Sequence, residues 1–188
     1  MNEDVRVGSA TNGLAPVSVA ERSLAAGTWQ WLGLVLVAVA AVMADQVTKQ
    51  IVSSTLALDY AVHVVGPLSI HHVQNSGIAF GLFSSATAGV TIVTSIAVLW
   101  MIWFFARSGG RHPVLPAALG LLIGGSLSNL VDRIRLGHVT DFIDFKYWPA
   151  FNLADSFICI GVVILLAALF AADRAPKQPR RPLDVAAR

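Results

Sequence analysis

The chain has 188 residues, of which 55% are hydrophobic and only 13% are charged. An ordinary soluble domain has about 45–50% apolar and about 25% charged residues, so this composition excludes most soluble classes and a disordered chain. The formal net charge is only +2, and the single cysteine, Cys159, excludes an internal disulfide. The length suits one domain, and the composition indicates an integral membrane protein.

Four apolar stretches are long enough to cross a bilayer, which needs about 17–25 mostly apolar residues. We predict transmembrane helices at about 24–44, 88–106, 113–131 and 151–172. The first stretch is longer than the apolar core of a signal peptide, so a retained span is favoured over a cleaved one. Residues 1–23 and the basic segment 173–188 are rich in small, polar and charged residues, which predicts disordered tails.

The connections between the predicted spans differ in kind. Residues 107–112 form a short basic turn, whereas 132–150 is a longer acidic loop with aromatic residues at its end. The first long connection contains the alternating segment HVVGPLSIHHVQ, whose period predicts short strands of a small sheet at the membrane surface.

Lysine and arginine are unevenly divided between the two sides of this map. The side with the termini and the short turn carries nine, and the opposite side carries four. Positive residues favour the cytoplasmic side, so both termini are predicted to be cytoplasmic. The predicted fold class is an all-α integral membrane protein with four transmembrane helices and a small extracytoplasmic sheet from the first outer loop.

Acids and asparagines are concentrated near the outer ends of the predicted spans. The members of this group are Asp45, Asn129, Asp132, Asp141, Asn152 and Asp155. An acid held in or near a membrane costs about 2.5–3.5 kcal/mol on insertion scales and suggests a function by default. Structural interpretations compete with this one: Asp45 can pair with Lys49 at i+4, Asp132 is expected at a hydrated helix end, and Asp144 is expected to be a solvated loop acid.

The chemistry open to such a site is narrow. The sequence contains no GxSxG, HExxH or P-loop pattern. His71 and His72 are adjacent in a predicted strand and should point to opposite faces, which disfavours a shared metal. Cys159 is expected to be a small packing residue.

Paired carboxylates remain as the candidate catalytic groups. Two close aspartates can share one proton, so that one acts as a base on water and the other as an acid. This is aspartyl peptidase chemistry, and the residues alone allow any two of Asp45, Asp132, Asp141 and Asp155 to form the pair. A proton- or ion-coupled transporter and a non-enzymatic assembly subunit are the alternatives, although transporters usually carry polar residues near the midplane.

Five segments give the chain a resemblance to the lipoprotein signal peptidases, also called signal peptidase II, over about residues 30–172. They are DQVTK at 45–49, NSGIAFG at 75–81, GGSLSNLVDR at 124–133, VTDF at 139–142 and FNLADS at 151–156. The resemblance implies a four-span aspartyl endopeptidase of the bacterial plasma (inner) membrane. Such an enzyme removes the signal peptide of prolipoproteins just before a diacylglyceryl-modified cysteine, and it is inhibited by globomycin-type cyclic peptides.

The resemblance also implies roles for individual residues. The catalytic pair would be Asp141 and Asp155, and Asp132 would be structural. The residues that would shape and support the substrate site are Asp45, Asn75, Asn129, Arg133 and Asn152. The implied fold includes a β-cradle from the first outer loop and a short lid near Leu56 or further along that loop. The interval between Asp141 and Asp155 is shorter than the family pattern.

The same resemblance implies the partners of the protein. They are the diacylglyceryl-modified prolipoprotein and membrane lipid, with no nucleic acid, no cofactor and no metal. We expect a monomer.

Overall fold

Four long helices and four short strands make up the described part of the chain, which in this computed structural model is residues 25–76 and 87–174. In chain order the elements are α1 (Thr28–Thr55), β1 (Ala61–Val65), β2 (Leu68–Asn75), α2 (Thr87–Ser108), α3 (Leu115–Leu136), β3 (Val139–Phe145), β4 (Trp148–Phe151) and α4 (Leu153–Arg174). The predicted N-terminal tail and nearly all of the C-terminal tail lie outside the described residues.

All four helices are long and apolar enough to cross a membrane, which confirms the four-helix prediction. Helix α1 differs most from its predicted bounds, because it continues eleven residues past 44 to Thr55. Its 28 residues correspond to a length of about 42 Å. The polar segment DQVTK therefore lies inside the helix, where Asp45 and Lys49 are both buried.

Helix α3 is the centre of the bundle. In its apolar window 61% of the residues are buried, against 22% or less in the other three helices. Glycines allow its neighbours to approach closely: a Cβ added to Gly124 would lie 2.6 Å from the carbonyl oxygen of Ala38 in α1. An added Cβ on Gly161 of α4 would lie 2.8 Å from the carbonyl oxygen of Ala118 in α3.

The apolar core and the sheet occupy opposite ends of the bundle. The core packs Leu34 of α1 and Phe105 of α2 against a buried cluster that includes Leu119, Leu122 and Ile123 of α3. These residues lie in the first half of α1, the last turn of α2 and the first half of α3. At the other end, strands follow α1 and α3 in the chain, and strand β4 precedes α4. The buried acids Asp45, Asp132 and Asp141 all lie toward this sheet end.

The four strands form one antiparallel sheet in the order β1-β2-β3-β4. The strands predicted in the first long connection are present as β1 and β2, and their turn includes Gly66 at φ +54. The sheet is larger than predicted, because the segment interpreted as an acidic loop supplies β3 and β4. Pairing of Val73 with Asp141, and of Asn75 with Val139, places the VTDF motif directly beside β2.

The sheet also corrects the interpretation of Asp144, which lies on β3 and not in a solvated loop. Its Oδ2 is 3.0 Å from Nδ1 of His71, and both side chains are only partly exposed. Adjacent His72 is buried and turns elsewhere: its Nδ1–H donates to the carbonyl oxygen of Leu56 at 3.0 Å. His72 therefore fastens the end of α1 to the sheet, and the two histidines have separate partners.

Candidate active site

A capping box begins α4 and fixes the position of Asp155. The side-chain oxygen of Asn152 accepts the backbone N–H of Asp155 at 3.0 Å, and Asp155 Oδ2 accepts the backbone N–H of Asn152 at 3.3 Å. This reciprocal pattern satisfies two N–H groups that a helix start otherwise leaves without partners. The spacing of Asn152 and Asp155 in FNLADS is the sequence signal for it.

Asp141 lies on β3 and reaches the same place from the sheet. Its Oδ2 accepts a hydrogen bond from Asn75 Nδ2 at 2.9 Å, and its Oδ1 accepts one from Asn152 Nδ2 at 2.7 Å. Asn129 of α3 completes the arrangement, because its Nδ2 donates to Asp155 Oδ1 at 2.8 Å. Asn152 thus contacts both aspartates, one through its side-chain amide and one through the capping box.

Both aspartates line a cavity of about 630 Å³ at the sheet end of the bundle. Asn75, Asn129 and Arg133 share its polar side. The remaining wall is mostly apolar and includes Trp148, Pro149, Phe151, Ile158 and Ile160. The cavity therefore presents two acids beside a surface suited to hydrocarbon.

Asp141 has a strongly perturbed pKa. Its side chain is almost fully buried, and desolvation raises the pKa to about 6 from 3.8. The hydrogen bond from Asn75 opposes this shift by stabilising the carboxylate, and the charge of Asp155 adds to it. A perturbed acid in a cleft is typical of a catalytic group.

Asp45 and Asp132 lie behind the cavity wall in a buried ion-pair cluster. Lys49 Nζ is 2.6 Å from Asp45 Oδ2 and 2.8 Å from Asp132 Oδ2. The i+4 pairing of Asp45 is therefore present, whereas the hydrated position expected for Asp132 is wrong, since that residue is 4% exposed. Its charge is tolerated there because Lys49 neutralises it and Gln46 donates to its Oδ1 at 2.8 Å.

Two of the four candidate aspartates line the cavity. Among the cavity-lining residues the acids are Asp141 and Asp155, while Asp45 and Asp132 support the elements around them. Within residues 25–76 and 87–174, no group of three histidine, cysteine or acidic residues is placed to hold a metal ion. Residues 77–81 of NSGIAFG, and any lid formed further along that connection, lie outside the described residues.

Two features of the site differ from the sequence-based view or were missed by it. Cys159 is exposed and lines the cavity, so its interpretation as a packing residue is wrong. Its position follows from helical periodicity, since it lies one turn after Asp155. The sequence alone indicates Lys49 only as a partner of Asp45, although its contacts also join α1 to Asn129 and Asp132 of α3.

Replacing Gly125 by alanine should displace the site. A Cβ there would lie 2.5 Å from the carbonyl oxygen of Ala154 and 2.9 Å from Ile158 Cγ1. Because Ala154 precedes Asp155, Gly125→Ala should cost about 1–3 kcal/mol of stability and move Asp155 away from Asp141. Thermal unfolding in detergent measures the first effect, and turnover per folded protein measures the second.

Gly89→Ala is the matched control, because a Cβ at Gly89 of α2 meets no described atom within 4 Å beyond its adjacent residues and the backbone of its own helix. That change should leave turnover unaltered and should not lower stability, because alanine is the better helix former. Equal behaviour of the two variants would contradict the packing argument.

Asn75→Ala should shift the pH dependence of any reaction at Asp141. The lost hydrogen bond stabilises the carboxylate, so its loss should raise the pKa of Asp141 further above about 6. The limb of the pH–rate profile controlled by Asp141 should therefore move to higher pH. Gln74→Ala, which alters an exposed neighbour on the same strand, should leave the profile in place. An unmoved profile for Asn75→Ala would show that the contact does not tune the acid.

Comparison with solved structures places this fold among bacterial membrane enzymes. One structure, described as a bacterial membrane enzyme at 2.3 Å, has a TM-score of 0.73 and 33% identity, covering 78% of this chain and 93% of the other. A second, described as a bacterial membrane enzyme at 1.9 Å, has a TM-score of 0.66 and 35% identity, covering 72% and 91%.

Sequence comparison gives the family. A family model described as signal peptidase (SPase) II matches residues 37–171. The lipoprotein signal peptidase of Symbiobacterium thermophilum is 36% identical over 145 residues, covering 74% of this chain and 95% of that protein. That of Syntrophotalea carbinolica is 40% identical over 143 residues, covering 72% and 89%. The protein is thus a membrane-embedded protease. It belongs to the signal peptidase II family.

Proposed function

We propose that this protein is an aspartyl endopeptidase that removes the signal peptide from diacylglyceryl-modified prolipoproteins. The bond cut is the one just before the lipidated cysteine. One observation carries the proposal: Asp141 on a strand and Asp155 at a helix start line the same cavity, which has an apolar wall. The relatives named lipoprotein signal peptidase support the substrate class.

The reaction follows from two carboxyl groups that hold one proton between them. The ionised aspartate takes a proton from water, and the water oxygen attacks the scissile carbonyl carbon while the other aspartate donates its proton to the carbonyl oxygen. A proton then passes to the amide nitrogen, and the C–N bond breaks. The products are a signal peptide with a free carboxylate and a lipidated cysteine with a free α-amine.

The neighbours of the pair have separate tasks in this scheme. Asn75 and Asn152 orient the carboxyl group of Asp141 through its two oxygens, and Asn129 orients Asp155. Arg133 lines the cavity, where its donors can hold backbone carbonyls of an extended substrate. The apolar wall accepts hydrocarbon of the diacylglyceryl group or of the signal helix.

The proposed setting is the bacterial inner membrane, with the termini in the cytoplasm and the sheet end at the outer leaflet. The excess of basic residues on the termini and the short turn supports this orientation. The scissile bond then lies at the depth of the lipid anchor, which is where the two aspartates are needed. The proposed form is a monomer, because one chain supplies both acids and the cavity.

Reporter fusions should reveal the orientation. A reporter that is active only in the cytoplasm should be active after Arg107 and after Arg188, and inactive at Gly66 in the β1–β2 turn. An active cytoplasmic reporter at Gly66 would contradict the proposed topology. A reporter active only outside the cytoplasm, fused at the same three positions, provides the reciprocal control.

The direct test of the activity uses the purified protein in detergent and a purified diacylglyceryl-modified prolipoprotein. Cleavage should appear as a shift on a gel, with the lipid retained on the larger fragment and a new N-terminal cysteine. A globomycin-type cyclic peptide should block the shift. Absence of cleavage by the folded protein would overturn the proposal.

A further inference from the structure

We propose that Lys49 is a positioning residue that fixes the separation of Asp141 and Asp155. The proposal rests on the proposed function, in which Asp141 and Asp155 are the reacting acids. Lys49 does not line the cavity, and it acts through the side chains that surround its ammonium group.

Three acceptors surround the Lys49 ammonium, one for each of its N–H donors. Nζ lies 2.6 Å from Asp45 Oδ2, 2.8 Å from Asp132 Oδ2 and 2.8 Å from Asn129 Oδ1. Lys49 is only 4% exposed, so these acceptors take the place of water. The donor capacity of the group is therefore fully used inside the protein.

Each of the two carboxylates holds the backbone just before a reacting aspartate. Asp45 Oδ1 accepts the N–H of Ala154 at 2.9 Å, and Ala154 precedes Asp155. Asp132 Oδ2 accepts the N–H of Thr140 at 3.4 Å, and Thr140 precedes Asp141. Because Lys49 lies between the two carboxylates, it links the start of α4 to strand β3 and so fixes the separation of the pair.

The third contact determines which way the Asn129 amide points. An ammonium group can only donate, so the amide oxygen of Asn129 must face Lys49, and its NH₂ group is then directed at Asp155 Oδ1, 2.8 Å away. The reversed amide would set NH₂ against the ammonium and oxygen against the carboxylate. Asn152 Nδ2 donates to the same Asn129 oxygen at 3.1 Å and also donates to Asp141 Oδ1. The contact between Lys49 and Asn129 is therefore connected to both acids.

The charges of the buried cluster determine how the proposal is tested. Asp45, Lys49 and Asp132 together carry one negative charge. Lys49→Met alone leaves two buried carboxylates without their cation, which strongly destabilises a protein. The double variant Lys49→Met/Asp132→Asn restores the native net charge and still lacks the ammonium, and Asp132→Asn alone is its reference.

The experiment measures kcat, KM and the pH–rate profile on lipidated precursor, together with thermal unfolding in detergent. Relative to Asp132→Asn, the folded double variant should lose about 10–100-fold in kcat, because small misplacements of reacting groups have effects of this size. KM should stay within about threefold, since Lys49 does not touch the substrate cavity. A structural role alone would lower the yield and leave kcat per folded molecule unchanged.

The pH–rate profile gives an independent readout. The charged groups that face Asp141 are Asp155, Arg133 and Lys49. The positive charge of Lys49 favours the ionised form of Asp141, so removing it should raise the pKa of that acid. The limb of the pH–rate profile controlled by Asp141 should therefore move to higher pH. The reference is wild type for Lys49→Met and Asp132→Asn for the double variant.

As matched controls, Lys146→Met and Lys146→Met/Asp144→Asn make the same kinds of substitution at exposed Lys146 in the β3–β4 turn and at Asp144 of β3, and should keep kcat within about threefold. An unchanged kcat in the folded double variant would overturn the proposal, as would loss of fold in both Lys49 variants.

Failure of this inference can be distinguished from failure of the proposed function. If Asp141→Asn or Asp155→Asn stays active, the proposed function itself fails. If those two variants are inactive and the Lys49 variants remain active, only this inference fails.

Discussion

Asp141→Asn and Asp155→Asn should each abolish cleavage of the lipidated precursor, with a loss of at least about 10³-fold in turnover per folded protein. Asparagine keeps the size of the side chain but removes the ionisable proton. A mechanism that shares one proton needs both carboxyl groups, so neither aspartate can replace the other. The double variant should lose little more than either single variant, because residues that act as a unit are not additive.

Two other aspartates serve as controls for this experiment. Asp144→Asn should be nearly silent, because its pair with His71 is partly exposed and such pairs contribute about 0–1 kcal/mol. Asp132→Asn should mainly lower the yield or stability of the protein, because it removes a charged partner of buried Lys49. Substantial turnover by Asp141→Asn or Asp155→Asn would contradict their assignment as the catalytic pair. A folded but inactive Asp132→Asn would show that Asp132 is needed for catalysis and not only for stability.

The second large effect should come from the lipid on the substrate. A prolipoprotein whose cysteine lacks diacylglyceryl should be cleaved with a kcat/KM at least about 100-fold lower, since burying three or four methylene groups at about 0.8 kcal/mol each accounts for such a factor. The apolar wall around Trp148, Phe151 and Ile158 is the surface that offers this burial. Turnover of modified and unmodified precursor at matched concentration measures the ratio.

In the matched substrate control, the precursor cysteine that carries diacylglyceryl is changed to serine, which prevents lipidation and alters one atom of the side chain. Serine and unmodified cysteine precursors should be equally poor substrates if the lipid is the determinant. A well-cleaved unmodified cysteine precursor would contradict this view of the cavity and would place the specificity in the peptide alone.

Much of the fold could be predicted from the sequence because the spans are a matter of length and apolar composition. The strands β1 and β2 could be predicted because alternation and a Gly-Pro turn are local signals. Strands β3 and β4 could not, because β3 carries two acids and β4 is only four residues long. Asp141 and Asp144 resemble loop residues until Asn75 and His71 are brought beside them. Cross-strand partners are not adjacent in sequence, so no local pattern reveals them.

The site shows the same division between local and distant contacts. The resemblance predicts the pair Asp141 and Asp155, and the spacing of Asn152 and Asp155 in FNLADS signals a helix start. The burial of Asp132 could not be predicted, because it depends on an ammonium group supplied by another helix, 83 positions earlier in the chain. Lys49 is one of the four basic residues on the predicted outer side, and its charge is neutralised inside the protein by Asp45 and Asp132.

Cys159 allows the cavity to be observed without any substitution in the chain. The chain has one cysteine in all, and that thiol is exposed on the cavity wall one helical turn from Asp155. A small fluorophore or spin label attached there would report occupancy in the intact enzyme. Quenching by lipid, displacement by a peptide and slowed labelling could each be followed in real time, which would separate substrate entry from the cutting step.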